Sequence, residues 1–340
     1  MKATDSRPFL LLYNPVAGGG AAERRAREIG GRLSRLGHAT ELAPTPLPFD
    51  LRHWQARAEP PADTERGDVF AHADAKQHRA AIIFGGDGTL NEAINRIADP
   101  ALPIAFCGTG STNVLRRALG IPRDDEEFVE MVLAGRVLRS PAIAVQGRLF
   151  LIFVDAGFLG RALREYNARP RARGFLGRQR REWTLAGCVL KQAWSARQRP
   201  LELEILDGEP VSPRRRYTDI LVARVPQYGG RFLLPLRTSL ADDEFEVFGF
   251  QGRGLFTNLL PLLLAGGRLL GRCLYELERR ELFLRRRARR IRIHAAAGER
   301  EPSHVDAESF LPVPLEVAAC PDRGVGLLVP AAAGGIVAAR

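Results

Sequence analysis

An α/β chain in two parts is predicted: a doubly wound N-terminal domain over residues 1–137, a β-rich sandwich domain over 138–330 and a C-terminal tail over 331–340. Three observations predict it. At 340 residues the chain exceeds the size at which one hydrophobic core normally stops growing. Its first part repeats a unit of apolar strand, glycine-rich turn and helix, the building block of a doubly wound sheet. From about Val137 the pattern changes to short alternating segments, Pro141 to Val145, Leu149 to Val154, Leu201 to Leu206 and Asp219 to Val225, which read as strands.

The most informative unit runs from Ala80 to Asn95. Ala80-Ala81-Ile82-Ile83-Phe84 is a continuous apolar run, expected as a strand buried on both faces. Gly85-Gly86-Asp87-Gly88 fills the turn, and Leu90, Ala93, Ile94 and Ile97 then recur at helical spacing. Asp87 or Thr89 is placed to cap that helix. Free N–H groups at a helix start form an anion site. The Asp87 carboxylate would repel a bare phosphate there and fits a magnesium ion lying between them.

Phe9 to Tyr13 is a first buried strand, Asn14-Pro15-Val16-Ala17-Gly18-Gly19-Gly20 its turn, and Ala21 to about Leu36 the helix. Ala39 to Leu42 reads as the second strand, ended by Pro44-Thr45-Pro46, and Arg52 to Ala58 as a further helix. Leu102 to Phe106 is the next strand, and Gly108 to Leu115 a third loop-to-helix turn. Gly120 and Pro122 stop that helix, and Asp124 to Gly135 follows as an amphipathic helix with acids at its start. Leu311 to Val317 and Gly326 to Val329 read as closing strands.

The formal net charge is +11, carried almost wholly by arginine, since Lys2, Lys76 and Lys191 are the only lysines. None lies in a glycine-rich turn, which excludes the lysine of a P-loop. A basic balance points to anionic partners. No zinc-finger spacing, RNA-recognition signature or recognition-helix pattern is present, so nucleic acid is not expected. The arginine runs from Arg161 to Arg181 and from Arg279 to Arg292 read either as solvated helix faces or as contacts to anionic lipid headgroups. Cys107, Cys188, Cys273 and Cys320 form no C-x-x-C and read as reduced, mostly buried cytosolic thiols. His72 and His78 read as solvated. Leu255 to Leu270 is too short and too interrupted to span a bilayer. Together these give a cytoplasmic protein, peripheral at the membrane, with a homodimer left open.

The run Gly85 to Glu92 (Gly-Gly-Asp-Gly-Thr-Leu-Asn-Glu) resembles the nucleotide signature of the diacylglycerol kinase catalytic domain, the lipid-kinase family that includes the sphingosine kinases. NAD kinases and phosphofructokinases share Gly-Gly-Asp-Gly, and the Asn91-Glu92 continuation favours the lipid kinases. Asn14-Pro15 with its small residues resembles the family's first nucleotide loop, and Gly110-Ser111-Thr112-Asn113 its Gly-Thr-x-Asn element. Tyr228-Gly229-Gly230 with Asp242-Asp243-Glu244, and Asp306-Ala307-Glu308, resemble two further elements in the second part. Val114, Glu244 and Ala307 depart from the family pattern, where aspartate, glycine and glycine are usual.

The resemblance implies a nucleotide-binding domain of the NAD kinase-like type, and ATP with Mg2+ as cofactors. It assigns Asn14, Pro15, Gly18, Gly85, Gly86, Asp87, Gly88, Thr89 and Asn91 to the nucleotide phosphates. Gly110, Ser111, Thr112 and Asn113 complete the nucleotide wall. Thr45 is a nucleotide contact or a simple turn residue. Asp87 holds magnesium, and Asp243 marks a second, structural metal. Glu308 is the proton acceptor, with Asp306 beside it. The substrate implied is a lipid alcohol such as diacylglycerol. The rival readings are an NAD kinase and a lipid- or nucleotide-binding protein that has lost catalysis.

Overall fold

The computed structural model describes residues 5–46, 70, 72–97, 99–110, 112–167, 184, 187–194, 200–208, 215–228, 232–234, 236–251, 283–296, 300–306 and 308–331. The expected helix from Arg52 to Ala58, the apolar stretch from Leu255 to Leu270, Cys273, Ser111, Gly229, Gly230, Ala307 and nearly all of the tail lie outside them.

The first part contains β1 (Phe9–Tyr13), α1 (Ala21–Arg35), β2 (Thr40–Pro44), β3 (Ala80–Gly85), α2 (Asp87–Arg96), β4 (Ile104–Gly108), α3 (Val114–Ala118) and α4 (Asp125–Ala134). A one-turn 3-10 segment, Ala17–Gly19, precedes α1. Next come β5 (Val137–Val145), β6 (Arg148–Leu149), β7 (Phe153–Gly157), α5 (Phe158–Asn167), β8 (Leu201–Ile205), β9 (Asp219–Ala223), β10 (Gln227–Tyr228) and β11 (Phe232–Leu233). The chain closes with β12 (Phe245–Phe250), β13 (Phe283–Ala288), β14 (Arg290–Ala295), β15 (Ser303–Val305), β16 (Glu308–Phe310) and β17 (Leu315–Leu328).

Strands β2, β1, β3 and β4 lie side by side and run parallel. All residues of β1, β3 and β4 are buried, as helix-covered parallel strands require. Chain order reverses between β1 and β3. Loops at the carboxyl ends of strands flanking such a reversal diverge and leave a crevice for ligands. The helices are locally encoded. Asp124 caps α4 by accepting the N–H groups of Glu126 and Glu127, and Gly135 ends it in the left-handed region. Arg25 and Asp125, 2.9 Å apart, tie α1 to α4.

The sheet does not end at β4. β17 pairs with β4, β14 and β5, so the chain's last strand returns to the first sheet. A six-stranded antiparallel sheet, β13-β12-β9-β7-β15-β16, packs against the antiparallel half of the larger one. Ile143, Val145, Ile291, Ile293 and Val317 meet Val154, Ile220, Val222, Phe245 and Val247 in the core between them. The α/β sheet plus β sandwich is the fold class expected from the sequence.

Four local expectations change. Leu149 to Val154 is not one strand: β6 stops at Leu149 and β7 begins at Phe153. The N–H groups of Leu151, Ile152 and Phe153 turn instead to a carboxylate, that of Asp306. The closing strands are one, β17, irregular between Cys320 and Gly324. The arginines from 283 to 292 stand on β13 and β14, not on a helix, and several are paired. Arg289 meets Asp243 at 3.1 Å and Glu244 at 3.3 Å, and Glu316 takes Arg290 at 2.6 Å and Arg292 at 3.0 Å. His78 is buried, with Nε2 3.2 Å from Glu41. Among the described residues no helix is long and apolar enough to cross a membrane.

Candidate active site

The loops after β1, β3 and β4 meet at the crevice. Asn14 begins the first loop. Its Oδ1 accepts the Val16 N–H at 3.1 Å, and its Nδ2 donates to Thr89 Oγ1 at 3.0 Å, which joins the first loop to the second. Gly18, Gly19 and Gly20 are all left-handed, with φ of 61°, 66° and 88°. Successive N–H groups in such turns point into one concavity, a geometry suited to phosphate oxygens. A side chain on Gly19 or Gly20 would meet nothing within 4 Å, so the mouth of this loop is open.

The second loop is packed to its limit. A methyl group on Gly85 would sit 2.5 Å from the Thr89 side chain. The helix after it, α2, takes Gly86 as its cap residue and uses no side-chain cap. Both expected capping groups are engaged elsewhere, Thr89 with Asn14 and Asp87 with the next helix. Asp87 Oδ2 accepts the Val114 N–H at 2.9 Å and Oδ1 the Leu115 N–H at 3.3 Å. The carboxylate of one nucleotide-type loop thus caps the helix of the other. Asn113, left-handed at φ 44°, makes that start possible, and its Nδ2 donates to Gly110 O at 2.7 Å. Burial pushes the Asp87 carboxyl up to about 6, partly offset by these two N–H groups, while the charge of Asp306 pushes the same way. A cation would reverse that shift.

The Asp306 turn reaches this site from the second sheet. A methyl on Gly88 would lie 2.5 Å from Glu308 Oε1, so the exposed Glu308 rests directly on the backbone of the second loop. Asp306 is fully engaged and buried. Its Oδ1 accepts from Ile152 and Phe153, and its Oδ2 from Leu151 and from Asn91 Nδ2 at 2.7 Å. Asn91 therefore faces Asp306 and Leu149 O, at 2.9 Å, and joins the two sheets. Asp306 itself is left-handed, at φ 48°.

The remaining sequence candidates divide plainly. Thr45 is buried beside the first loop, its N–H on Tyr13 O at 2.8 Å. Thr45 Oγ1, Thr109 Oγ1 and Asn113 Oδ1 are buried without hydrogen-bond partners, which fits polar ligand atoms at this wall. Pro15 and Gly18 lie in the first loop, Thr112 is exposed beside Asn113, and Gly110 packs on Gly86. Asp243 is ion-paired with Arg289, apart from these contacts. Among the described residues no group of three or more His, Cys, Asp or Glu is arranged to hold a metal. The donor set suits Mg2+ only in its usual manner, through one or two carboxylates with waters and substrate phosphates.

Sequence reasoning missed a second buried cluster. Asp155 on β7 stands opposite His304 on β15, with Nδ1 and Oδ1 3.4 Å apart and both side chains fully buried. Asp219 lies beside them, and burial together with Asp155 pushes its carboxyl well above the usual range. The sequence gives no sign of it, because the three residues are far apart in the chain and stand on different strands. A folded-state pKa above the unfolded value means that the native state keeps a proton the unfolded state has lost. Stability is thus lost as pH rises from about 4 through the folded value. Asp219→Asn is expected to flatten that decline, gaining stability at pH 8 relative to pH 4.5 in urea unfolding. An unchanged pH slope would remove Asp219 from it.

The chain is similar to known proteins in the sequence of its first part and in its fold. Residues 8–145 match the model of the Diacylglycerol kinase catalytic domain. Over that region the chain is similar to the diacylglycerol kinase catalytic domain family. The protein named diacylglycerol kinase from Bacillus subtilis (strain 168) is 26% identical over 152 residues, which are 44% of this chain and 45% of that protein. The one from Staphylococcus saprophyticus is 29% identical over 153 residues, 44% of this chain and 45% of the relative. The chain thus aligns with under half the length of these curated relatives. A crystal structure of a diacylglycerol kinase from Bacillus anthracis str. Sterne superposes with a TM-score of 0.65 at 17% identity, over 97% of this chain and 99% of that one. That likeness establishes the fold. The matched region ends at Val145, so Asp306 and Glu308 lie beyond it.

Proposed function

We propose that this chain is an ATP-dependent lipid kinase, transferring the γ-phosphoryl group to the hydroxyl of diacylglycerol or a related lipid alcohol. The observation that carries the reading is the seat of Glu308 on Gly88. It brings a carboxylate from the second sheet onto the loop that the family motif marks for phosphate. ATP with Mg2+ supplies the phosphoryl group when bound. The left-handed glycines after β1 and the N–H groups at the start of α2 hold phosphate oxygens. Asp87 supplies the charge that holds the metal. Thr45, Thr109 and Asn113 offer buried polar atoms to the rest of the nucleotide. Glu308 would take the hydroxyl proton as the new oxygen–phosphorus bond forms and the bond from the γ-phosphorus to the bridging oxygen breaks, releasing ADP, a role that needs position before basicity.

In this reading the site lies where residues 1–137 meet residues 138–330, and the lipid approaches from the second part. The arginine excess supports a peripheral encounter with anionic membrane, reduced by the pairing of Arg289, Arg290 and Arg292.

The test is incubation with γ-labelled ATP, Mg2+ and a panel of diacylglycerol, monoacylglycerol and sphingoid base, with NAD as a parallel acceptor. Label in a lipid is expected. Label in NAD alone identifies an NAD kinase, and ATP binding without transfer to any acceptor identifies a binding protein. Asp87→Asn should weaken Mg2+-dependent ATP binding by about 10–100-fold, the usual scale for disturbing a metal site. Equal affinity in this variant would take Asp87 out of the metal site.

A further inference from the structure

Arg148 on β6 is 2% exposed, and no role has yet been given to it. Its Nε donates to Asn91 Oδ1 at 2.8 Å, and Asn91 Nδ2 donates onward to Asp306 Oδ2 at 2.7 Å. One helical turn further, Asn95 Oδ1 accepts the Leu149 N–H at 2.8 Å and Nδ2 donates to Leu149 O at 3.0 Å. Asn91 and Asn95 therefore lock β6 onto α2, the helix whose first turn carries Glu308 at Gly88. The guanidinium cannot move without that helix. Burial pushes the Arg148 guanidinium down, and the charges of Asp306, Glu308 and Glu92 offset part of that. Glu92 is also paired with Arg96, at 2.7 Å. Asp306 already accepts from the N–H groups of Leu151, Ile152 and Phe153 as well as from Asn91. Arg148 reaches Asp306 through Asn91, whose Oδ1 takes the guanidinium N–H while its Nδ2 faces the carboxylate.

We propose that Arg148 is a positioning residue, fixing Asn91 and through it the Asp306 carboxylate, so that the turn carrying Glu308 stays over Gly88. The inference rests on the lipid-kinase reading above. Arg148 acts through Glu308 and does not touch the nucleotide. A charge fixed by a planar, pre-organised fork sets direction as well as field, which lysine cannot reproduce.

The experiment is a double-mutant cycle of Arg148→Met and Glu308→Gln, with Arg148→Lys as a third variant, measuring kcat for lipid phosphorylation, KM for ATP and thermal unfolding. Arg148→Met should lower kcat by about 10–100-fold, the scale of a displaced catalytic group, with KM for ATP unchanged. In the Glu308→Gln background the same change should cost under about threefold, because the group it positions is gone. Arg148→Lys should recover part of kcat. Should the methionine variant fail to fold, the lysine variant is read in both backgrounds by the same criterion. Equal losses in the two backgrounds, or a wild-type kcat in Arg148→Met, overturn the role of Arg148 while leaving the kinase reading standing. A wild-type protein that transfers phosphate to no lipid overturns the kinase reading and this inference together.

Discussion

Glu308→Gln is expected to lower phosphoryl transfer to lipid by about 10²–10⁴-fold while ATP binds as before. The amide keeps the size of the carboxylate and its seat over Gly88, where a methyl would be 2.5 Å from Oε1. It cannot accept a proton at neutral pH. The side chain is exposed, so folding stability should be unaffected. Single-turnover transfer and equilibrium ATP binding, measured on the same preparation, separate the two effects. Wild-type turnover in this variant would end the assignment of Glu308 as proton acceptor.

Asp306→Asn should do the opposite, unfolding the protein more readily by about 2–4 kcal/mol, because buried N–H groups lose a charged acceptor. The carboxylate is 2% exposed and takes the N–H groups of Leu151, Ile152 and Phe153 as well as Asn91 Nδ2. An amide offers one oxygen, and its NH2 would face N–H donors. The left-handed backbone at φ 48° is tolerated by asparagine, so the loss comes from the side chain. A drop in the urea midpoint at pH 7, with residual turnover exceeding that of Glu308→Gln, is the expected pattern. A variant of normal stability with the larger loss of turnover would move the proton acceptor to Asp306.

The two acids of one short turn separate in this way only in three dimensions. The sequence offers Asp306 and Glu308 as near equals, since both are carboxylates in a polar turn. Their difference comes from β6 and β7, whose interruption leaves three N–H groups without strand partners and aims them at Asp306. Periodicity cannot report a break of this kind, because Phe150, Leu151 and Ile152 remain apolar and buried whether or not they form a strand. Asp87 is a similar case. Its place after a buried strand and before an amphipathic helix marks it as a turn carboxylate, and glycines on both sides mark the turn as crowded. That it caps α3 rather than its own helix depends on how closely Gly86 approaches Gly110, a contact between loops distant in the chain.

What the sequence by itself determined is local and repetitive. Strands β1, β3 and β4 follow from uninterrupted apolar runs buried on both faces, the helices from their 3.6-residue spacing and from Asp124 and Gly135 at the ends of α4. The glycine loops follow from residues that take left-handed backbone after β1 and leave no room for a Cβ at Gly85. Tertiary structure alone decided that β17 returns beside β4, that Arg148, Asn91 and Asp306 form a line between two sheets, and that Asp155, Asp219 and His304 share a buried site. These depend on long-range pairing and on which faces of separate strands come together. Such information is carried by the sum of packing free energies over the whole chain and by no single stretch of it.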